Sequence, residues 1–482
     1  MNLSVSTALH RFWLAAALPS ASLLSLCLAC TETSPPASAD PPGPAGVQDL
    51  SVAADLTPPP PPPPDLMPPP TPMVLTGSFD AGSSPFRSWV ATMEFAREIQ
   101  ATYKKPLRLT YFVTTAFYDT TVTGSAVGRA ASRDEVLVRW ALTQQALNEG
   151  HEVANHTVRH QDGGMWTAAQ WRAELKEYQD LLQKNLFQPV LDERGQPVFP
   201  KWAPAPGAAA GAVGAACTDS KQCTSGRCAM VTASQGFCTR ECNADTACPS
   251  GTFCGFPDET GTELYGIDIC LPRPAFPILH QGQELFRSDG TPNLGHPALR
   301  PYQPVGFRAP LLETNDAMYE VLKEMGYTYD SSQVDEPDAP YRYKGVLELS
   351  LMKFADSLAI PMDYNYMVHM DTDGMIMDKD YRRSILACYN DRANPKMTWH
   401  IGHHLRAYGN GVYFETFKRV FRFAAQGCPD DKGALRCPYM EFPTMGEFTR
   451  RYTKAPLLPL VERTPPSLRG PRRADRPSCG PH

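Results

Sequence analysis

The chain has 482 residues, 42% of them hydrophobic and 10% aromatic, enough to bury a sizeable core and to hold more than one domain. A formal net charge of -6, with no basic stripe interleaved with aromatics, argues against nucleic acid as a partner. No segment after the first thirty residues is apolar enough to cross a bilayer.

Residues 1–30 read as an export signal. His10 and Arg11 precede an uncharged apolar run from Phe12 to Ala29, broken by Pro19 and several serines. The run ends in Leu28-Ala29-Cys30, which resembles a lipoprotein processing site with Cys30 as the acylated residue. Ordinary cleavage and secretion is the alternative. Residues 31–72 form a low-complexity stalk with consecutive prolines from Pro58 to Pro64, too poor in apolar groups to fold.

From Met73 the pattern alternates strands and helices. Met73 to Asp80 reads as a strand, followed from about Arg87 by a helix with Trp89, Met93, Ala96 and Ile99 at helical spacing. Leu107 to Thr115 is β-branched and aromatic, a strand. Ser132 and Glu135 suit a capping box for a helix ending at Gly150, and a short strand from His151 to Asn155 follows. The next helix begins near Thr167, with Trp171, Leu175, Tyr178 and Leu182 on one face. Later come a helix from Thr314 to Met325, a strand from Tyr327 to Asp330, a strand ending at His400, and a helix aligning Phe417, Phe421 and Ala424. Such alternation implies an α/β fold on parallel strands, with functional residues gathered at the strands' C-terminal ends.

Eight of the 14 cysteines fall between Cys217 and Cys270. The cluster holds no Cys-x-x-Cys pair and no histidine, so four disulfides are expected rather than zinc. An Ala/Gly/Pro lead-in from Ala203 to Ala216 marks the start of an inserted module at 203–272. It divides the alternating domain into 73–202 and 273–460, with 461–482 as a tail. Its excision should leave a folded barrel if its ends lie close together. An adhesive role for the module, with the barrel as scaffold, is a further reading. Cys428 and Cys437 can close a local loop, while Cys388 and Cys479 have no evident partner.

The polar candidates follow the predicted strands. Ser78-Phe79-Asp80 ends the first. Gly150-His-Glu-Val-Ala-Asn-His156-Thr-Val-Arg-His160 carries two histidines four apart, able to share a metal ion. Val305-Gly-Phe-Arg308-Ala-Pro310 precedes Tyr329-Asp330-Ser331-Ser332. Met397-Thr-Trp-His400 is followed by His403 and His404.

In this order, from about Val74 to Phe448 with the insert excluded, these segments resemble the motifs of the polysaccharide deacetylase family. The resemblance implies an incomplete (β/α) barrel that hydrolyses the acetamide of N-acetylated glycans. It implies Asp80 as general base, His156 and His160 as ligands of a divalent ion such as zinc, Arg308 holding Asp80, and His400 as general acid. Asp363 lies where a further aspartate motif is expected. The family's metal-binding aspartate has no counterpart, because Ala81 occupies its place. Two histidines bind zinc weakly, so Asp363, His403, His404 or Asp80 itself would complete the set. The bland alternative for His403 and His404 is a solvated loop pair. A catalytically silent carbohydrate-binding protein is the rival reading of the whole chain.

Overall fold

The computed structural model describes residues 72–468 except 83, 85, 233, 244, 259–266, 336–339, 353–361, 370–372, 391–397, 407 and 455–459. The export signal, Cys30, the stalk and Cys479 lie outside the described residues. All described residues belong to one compact unit, Pro68–His482.

Among the described residues, seven parallel strands form the main path of a nine-stranded sheet: β1 (Met73–Ala81), β2 (Leu109–Val113), β3 (Glu152–Asn155), β4 (Gly306–Phe307), β5 (Tyr329–Asp330), β6 (Val346–Glu348) and β7 (Thr398–His404), and the short strand Met440–Glu441 also pairs in parallel with β1. Their spatial order is β6-β5-β4-β3-β2-β1-β7, with the antiparallel strand Tyr341–Tyr343 added outside β6. Among the described residues no ladder joins β7 to β6. The sheet therefore curls into an open half-barrel, as an incomplete (β/α) barrel should. Among the described residues, eight α-helices complete the fold: α1 (Phe86–Tyr103), α2 (Arg133–Asn148), α3 (Ala168–Asn185), α4 (Asp316–Glu324), α5 (Asp363–His369), α6 (Met375–Asn390), α7 (Val412–Gln426) and α8 (Met445–Lys454).

Local chemistry explains several boundaries. Thr167 caps α3 reciprocally with Gln170, and Asn315 caps α4 by accepting from the Met318 amide. Ser132 accepts from the Glu135 amide, but the Glu135 carboxylate turns to the Ala131 amide instead of closing the box. Alternation along β1 sends Leu75 and Phe79 outward to the helices and Thr76, Ser78 and Asp80 inward. Trp89 and Phe417, both fully buried, belong to that outer core. Burial of each such side chain stabilises by about 1.5–3 kcal/mol. Gly77 is required there, since a Cβ would meet Phe417 at 2.9 Å and Phe421 at 3.0 Å.

The cysteine cluster folds as two successive units. Cys217–Cys228 and Cys223–Cys238 link the first, Cys242–Cys254 and Cys248–Cys270 the second, each joining first to third and second to fourth. Cys428–Cys437 closes the expected local loop, and Cys388 is buried and free. The module's ends do meet: Trp202 bridges Pro274, and the Ala275 amide donates to the Lys201 carbonyl at 2.7 Å. Yet Ala229, Val231, Phe237, Phe253, Ile269 and Leu271 join the same buried cluster as the barrel's outer core. The module is a wall of that core. Residues 460–468, at the start of the expected tail, stay on the fold: the Arg342 amide donates to Val461, and Arg463 pairs with Asp335 at 2.8 Å.

Candidate active site

The inward side chains of β1 and β7 stack in layers. Thr76 pairs in register with His400, Ser78 with Gly402, and Asp80 with His404. Gly402 makes room for Arg308, whose Nη1 would lie 2.8 Å from an added Cβ. The guanidinium, fully buried, donates to Asp80 Oδ1 (2.7 Å), Ser78 Oγ (2.9 Å), Ser331 O (3.0 Å) and Ser331 Oγ (3.1 Å). It also lies over the Phe112 ring at 4.0 Å. A buried cation so completely engaged is fixed in place, and Asp80 is fixed with it. Burial opposes charge on Asp80, but Arg308, then His156 and His404, lower its pKa to about 2.

His156 and His160 stand on the turn after β3. Asn155 accepts from the Thr157 amide (2.7 Å) and Thr157 Oγ from the His160 amide (3.0 Å). Thr157 (φ 62°) and His160 (φ 53°) are left-handed, as are Leu311 (φ 57°) and Leu312 (φ 61°) just after Arg308. Such a backbone is uncommon for non-glycine residues and persists only where its surroundings hold it. The two imidazoles sit edge to face with centroids 4.8 Å apart. His156 Nδ1 is 2.9 Å from the Arg308 carbonyl, so it carries the proton and donates. Its Nε2 is buried without a hydrogen-bond partner, 3.9 Å from Asp80 Oδ2. Burial pushes the ring's pKa down to about 3.

An unpartnered imidazole lone pair beside a second imidazole and a free carboxylate oxygen is a donor set that suits a divalent ion. Asp80 Oδ2 lies 3.9 Å from His156 Nε2. Ala81, buried at the end of β1, cannot contribute. Among the described residues, the triads of ligand atoms drawn within 4.8 Å of one another are all disulfide cysteines.

His400 does not reach this place. It faces Thr76, four residues before Asp80, which is about 13 Å down the strand. Both ring nitrogens are engaged, Nδ1 with Thr76 Oγ1 (2.6 Å) and Nε2 with Thr398 Oγ1 (2.8 Å), and burial lowers its pKa to about 3. The strand expected to end at His400 runs on to His404, so His403 and His404 are no solvated loop pair. His403 is buried between Phe79 and Phe417, with Tyr381 3.2 Å from its Nε2. His404 reaches the layer of Asp80. Its Nδ1 is 2.8 Å from Asp363 Oδ1, and its amide donates to both carboxylate oxygens. Burial opposes protonation of His404, but Asp363 and then Asp80 outweigh it and raise its pKa. Asp363 thus lies in the site as a partner of His404, in the first turn of α5.

Behind Arg308 lies a polar cluster that the sequence reading did not assign. Asp330 and Glu348, both fully buried, face each other across β5 and β6, with Tyr319 Oη 3.1 and 3.0 Å from their carboxyl groups. Ser332 donates to Asp330 (2.7 Å) and accepts from the Ala309 amide (2.7 Å). Tyr329-Asp330-Ser331-Ser332 had drawn notice in the sequence. Glu348 carried no signal.

Residues 69–191 match the family model described as Polysaccharide deacetylase, so the chain contains a polysaccharide deacetylase domain. That span includes Asp80, Ala81, His156 and His160, and ends before Arg308, Asp363 and β7. None of the curated proteins matches the sequence. Among solved structures, a Mycobacterium smegmatis protein named as a polysaccharide deacetylase is 11% identical, covering 83% of this chain and 97% of its own, with a TM-score of 0.41. A Puue allantoinase is 11% identical, with coverage of 80% and 91% and a TM-score of 0.40. The chitin deacetylase of Colletotrichum lindemuthianum is 9% identical, with coverage of 78% and 87% and a TM-score of 0.34.

Proposed function

We propose that this protein is an exported, metal-dependent hydrolase that removes acetyl groups from N-acetylated carbohydrate. One observation carries the reading: the arginine-held carboxylate of Asp80 stands between the unpartnered Nε2 of His156 and the Asp363-bound His404.

A divalent ion such as zinc, held by His156 and His160, would polarise the acetyl carbonyl and acidify the attacking water. Asp80, with its pKa near 2, is too weak a base for unassisted water, which is why the reading includes a metal. Arg308 occupies Oδ1 and leaves Oδ2 to accept the water's proton. The water oxygen bonds to the acetyl carbon, the carbon–nitrogen bond breaks, and His404 as imidazolium donates its proton to the leaving nitrogen. Asp363 orients the ring and keeps it charged. The products are acetate and a free amino sugar.

Five disulfides fit an oxidising compartment, and among the described residues no helix is long and apolar enough to cross a membrane. We place the protein outside the cytoplasm, tethered through Cys30 by the proline-rich stalk. Cys30→Ser should move it from membrane to soluble fractions.

Ala81 favours the second reading, a silent carbohydrate-binding protein with a disabled metal site. Acetate release from N-acetylglucosamine oligomers, with zinc, cobalt or manganese supplied and bound metal measured, decides between them. No stoichiometric metal and no acetate, alongside measurable sugar binding, would establish the binding protein.

A further inference from the structure

The peptide bond that joins Arg308 to Ala309 is held at both of its polar ends. Its carbonyl, on Arg308, lies 2.9 Å from Nδ1 of His156, and its amide, on Ala309, donates to Ser332 Oγ at 2.7 Å. Ser332 in turn donates to Asp330 Oδ1 at 2.7 Å. All five residues are buried, so these bonds are made away from bulk water and are stronger than they would be at a surface.

Each proton in the row has one place to be. An amide N–H can only donate, so the Ser332 oxygen accepts and its single proton turns to Asp330. A carbonyl can only accept, so the proton between it and the ring belongs to His156 Nδ1, and the neutral ring keeps its lone pair on Nε2. That nitrogen is the one buried without a hydrogen-bond partner, 3.9 Å from Asp80 Oδ2. An amide that donates to a hydroxyl–carboxylate pair gathers negative charge on its carbonyl, which strengthens the bond at its other end.

We infer that Ser332 and Asp330 are positioning residues for His156: through the peptide between Arg308 and Ala309 they fix its Nδ1–H tautomer and turn its Nε2 lone pair toward Asp80 as a metal ligand. The inference deepens the proposed metal-dependent reading and rests on it for the ion. A ligand histidine commonly donates its second ring nitrogen to a carboxylate or a carbonyl. Here the carboxylate acts through that carbonyl, from three hydrogen bonds away.

Two measurements on the whole protein test it. Heteronuclear NMR of chelator-treated protein at neutral pH reads the His156 tautomer, and zinc titration against a competing chelator reads the ligand. The parent should show His156 protonated at Nδ1 alone. Ser332→Ala should bring in the Nε2–H tautomer and weaken zinc binding by about 10- to 100-fold, the usual cost of losing such a support. Ser332→Thr, which keeps the hydroxyl, should restore both. Ser331→Ala removes a neighbouring hydroxyl that serves the Arg308 guanidinium instead, and should leave the tautomer as in the parent. An Nε2–H tautomer in the parent, or a tautomer unmoved by Ser332→Ala, overturns the inference. So does an equal shift in Ser331→Ala, which would mark general damage. Should Ser332→Ala fail to fold, the parent's tautomer and a shift in Asp330→Asn, which removes the charge but keeps the shape, decide in the same way. The expected tautomers in a parent that binds no zinc defeat the metal reading alone. Zinc bound by a parent whose tautomer is indifferent to Ser332 defeats this inference alone.

Discussion

Asp80 and His404 are register partners at the ends of adjacent parallel strands, so carboxylate and imidazole leave the sheet side by side. His400, four residues earlier, belongs to a lower layer with Thr76. We therefore propose His404, rather than His400, as the acid. His404→Gln should lower kcat for acetate release by about 100- to 10,000-fold, the usual range for losing a general acid. His400→Gln should stay within about tenfold of the parent. Asp363→Asn removes the carboxylate that raises the His404 pKa, so the alkaline limb of the kcat/KM profile should move to lower pH. An unmoved limb would show that His404 is not the acid.

In the proposed metal set, Ala81 stands where the resemblance leads one to expect a carboxylate. A carboxylate installed there by Ala81→Asp would be buried close to Asp80 and without a cation of its own. In chelator-treated protein the variant should melt below the parent. Saturating zinc should then raise its Tm by more than it raises the parent's, because binding stabilises in proportion to affinity. Equal zinc shifts would mean that Asp80 Oδ2 or another group already fills the third position.

Strand faces could be read from the sequence here, but strand ends could not. A strand repeats every two residues, so His400 and His404 share a face, and misplacing the end by four residues changes the layer but not the direction. No glycine–proline stop separates them, and Gly402 between them makes room for Arg308. The histidine pair after β3 was legible because its ligands are local. The Asp363–His404 and Asp330–Glu348 pairs join separate elements, and no spacing announces them. The cysteine count announced four bridges, and composition announced an excursion. That the excursion's apolar face belongs to the barrel core needed the third dimension.

Because that face closes the outer core, removing 203–272 has a cost despite the adjacent ends. Replacement with a short linker should give a protein that binds a hydrophobic dye and melts well below the parent, since Phe253 and Leu271 no longer cover the core. A deletion variant as stable as the parent would mean that the module is only peripheral.

Asp330 and Glu348 cannot both be charged in full burial, and both pKa values are raised, Glu348 the further. Burial is the main cause, with Asp330 adding to it for Glu348. The pair holds a proton on Glu348 while the unfolded chain gives it up above pH 4.5, so this residue weakens the fold as pH rises. Glu348→Gln preserves shape and neutrality, and should leave urea-unfolding stability at pH 8 equal or higher. A loss of more than about 2 kcal/mol would indicate a charged Glu348 that the fold needs.

Stability toward acid should be governed by the buried histidines. Burial holds His151, His156 and His400 near pKa 3 and His403 near 4, against 6.5 for a free imidazole. Above pH 6.5 these rings are neutral in both states and cost nothing. As pH falls below 6.5 the unfolded chain takes up protons that the native rings refuse, so stability declines until the native pKa is reached. Each such ring contributes about 1.4 kcal/mol per pH unit to the slope. The raised carboxyl of Glu348 works in the opposite sense over the same window, so the test is differential. His400 suits it, because Gln at that position can still engage Thr76 and Thr398 without titrating. Unfolding free energies measured in urea at intervals from pH 6.5 to 4.5 should show His400→Gln losing stability less steeply than the parent, by the slope of one proton. Parallel curves for the two proteins would mean that His400 is protonated in the fold, and its neutral, doubly bonded place beneath the site would have to be abandoned.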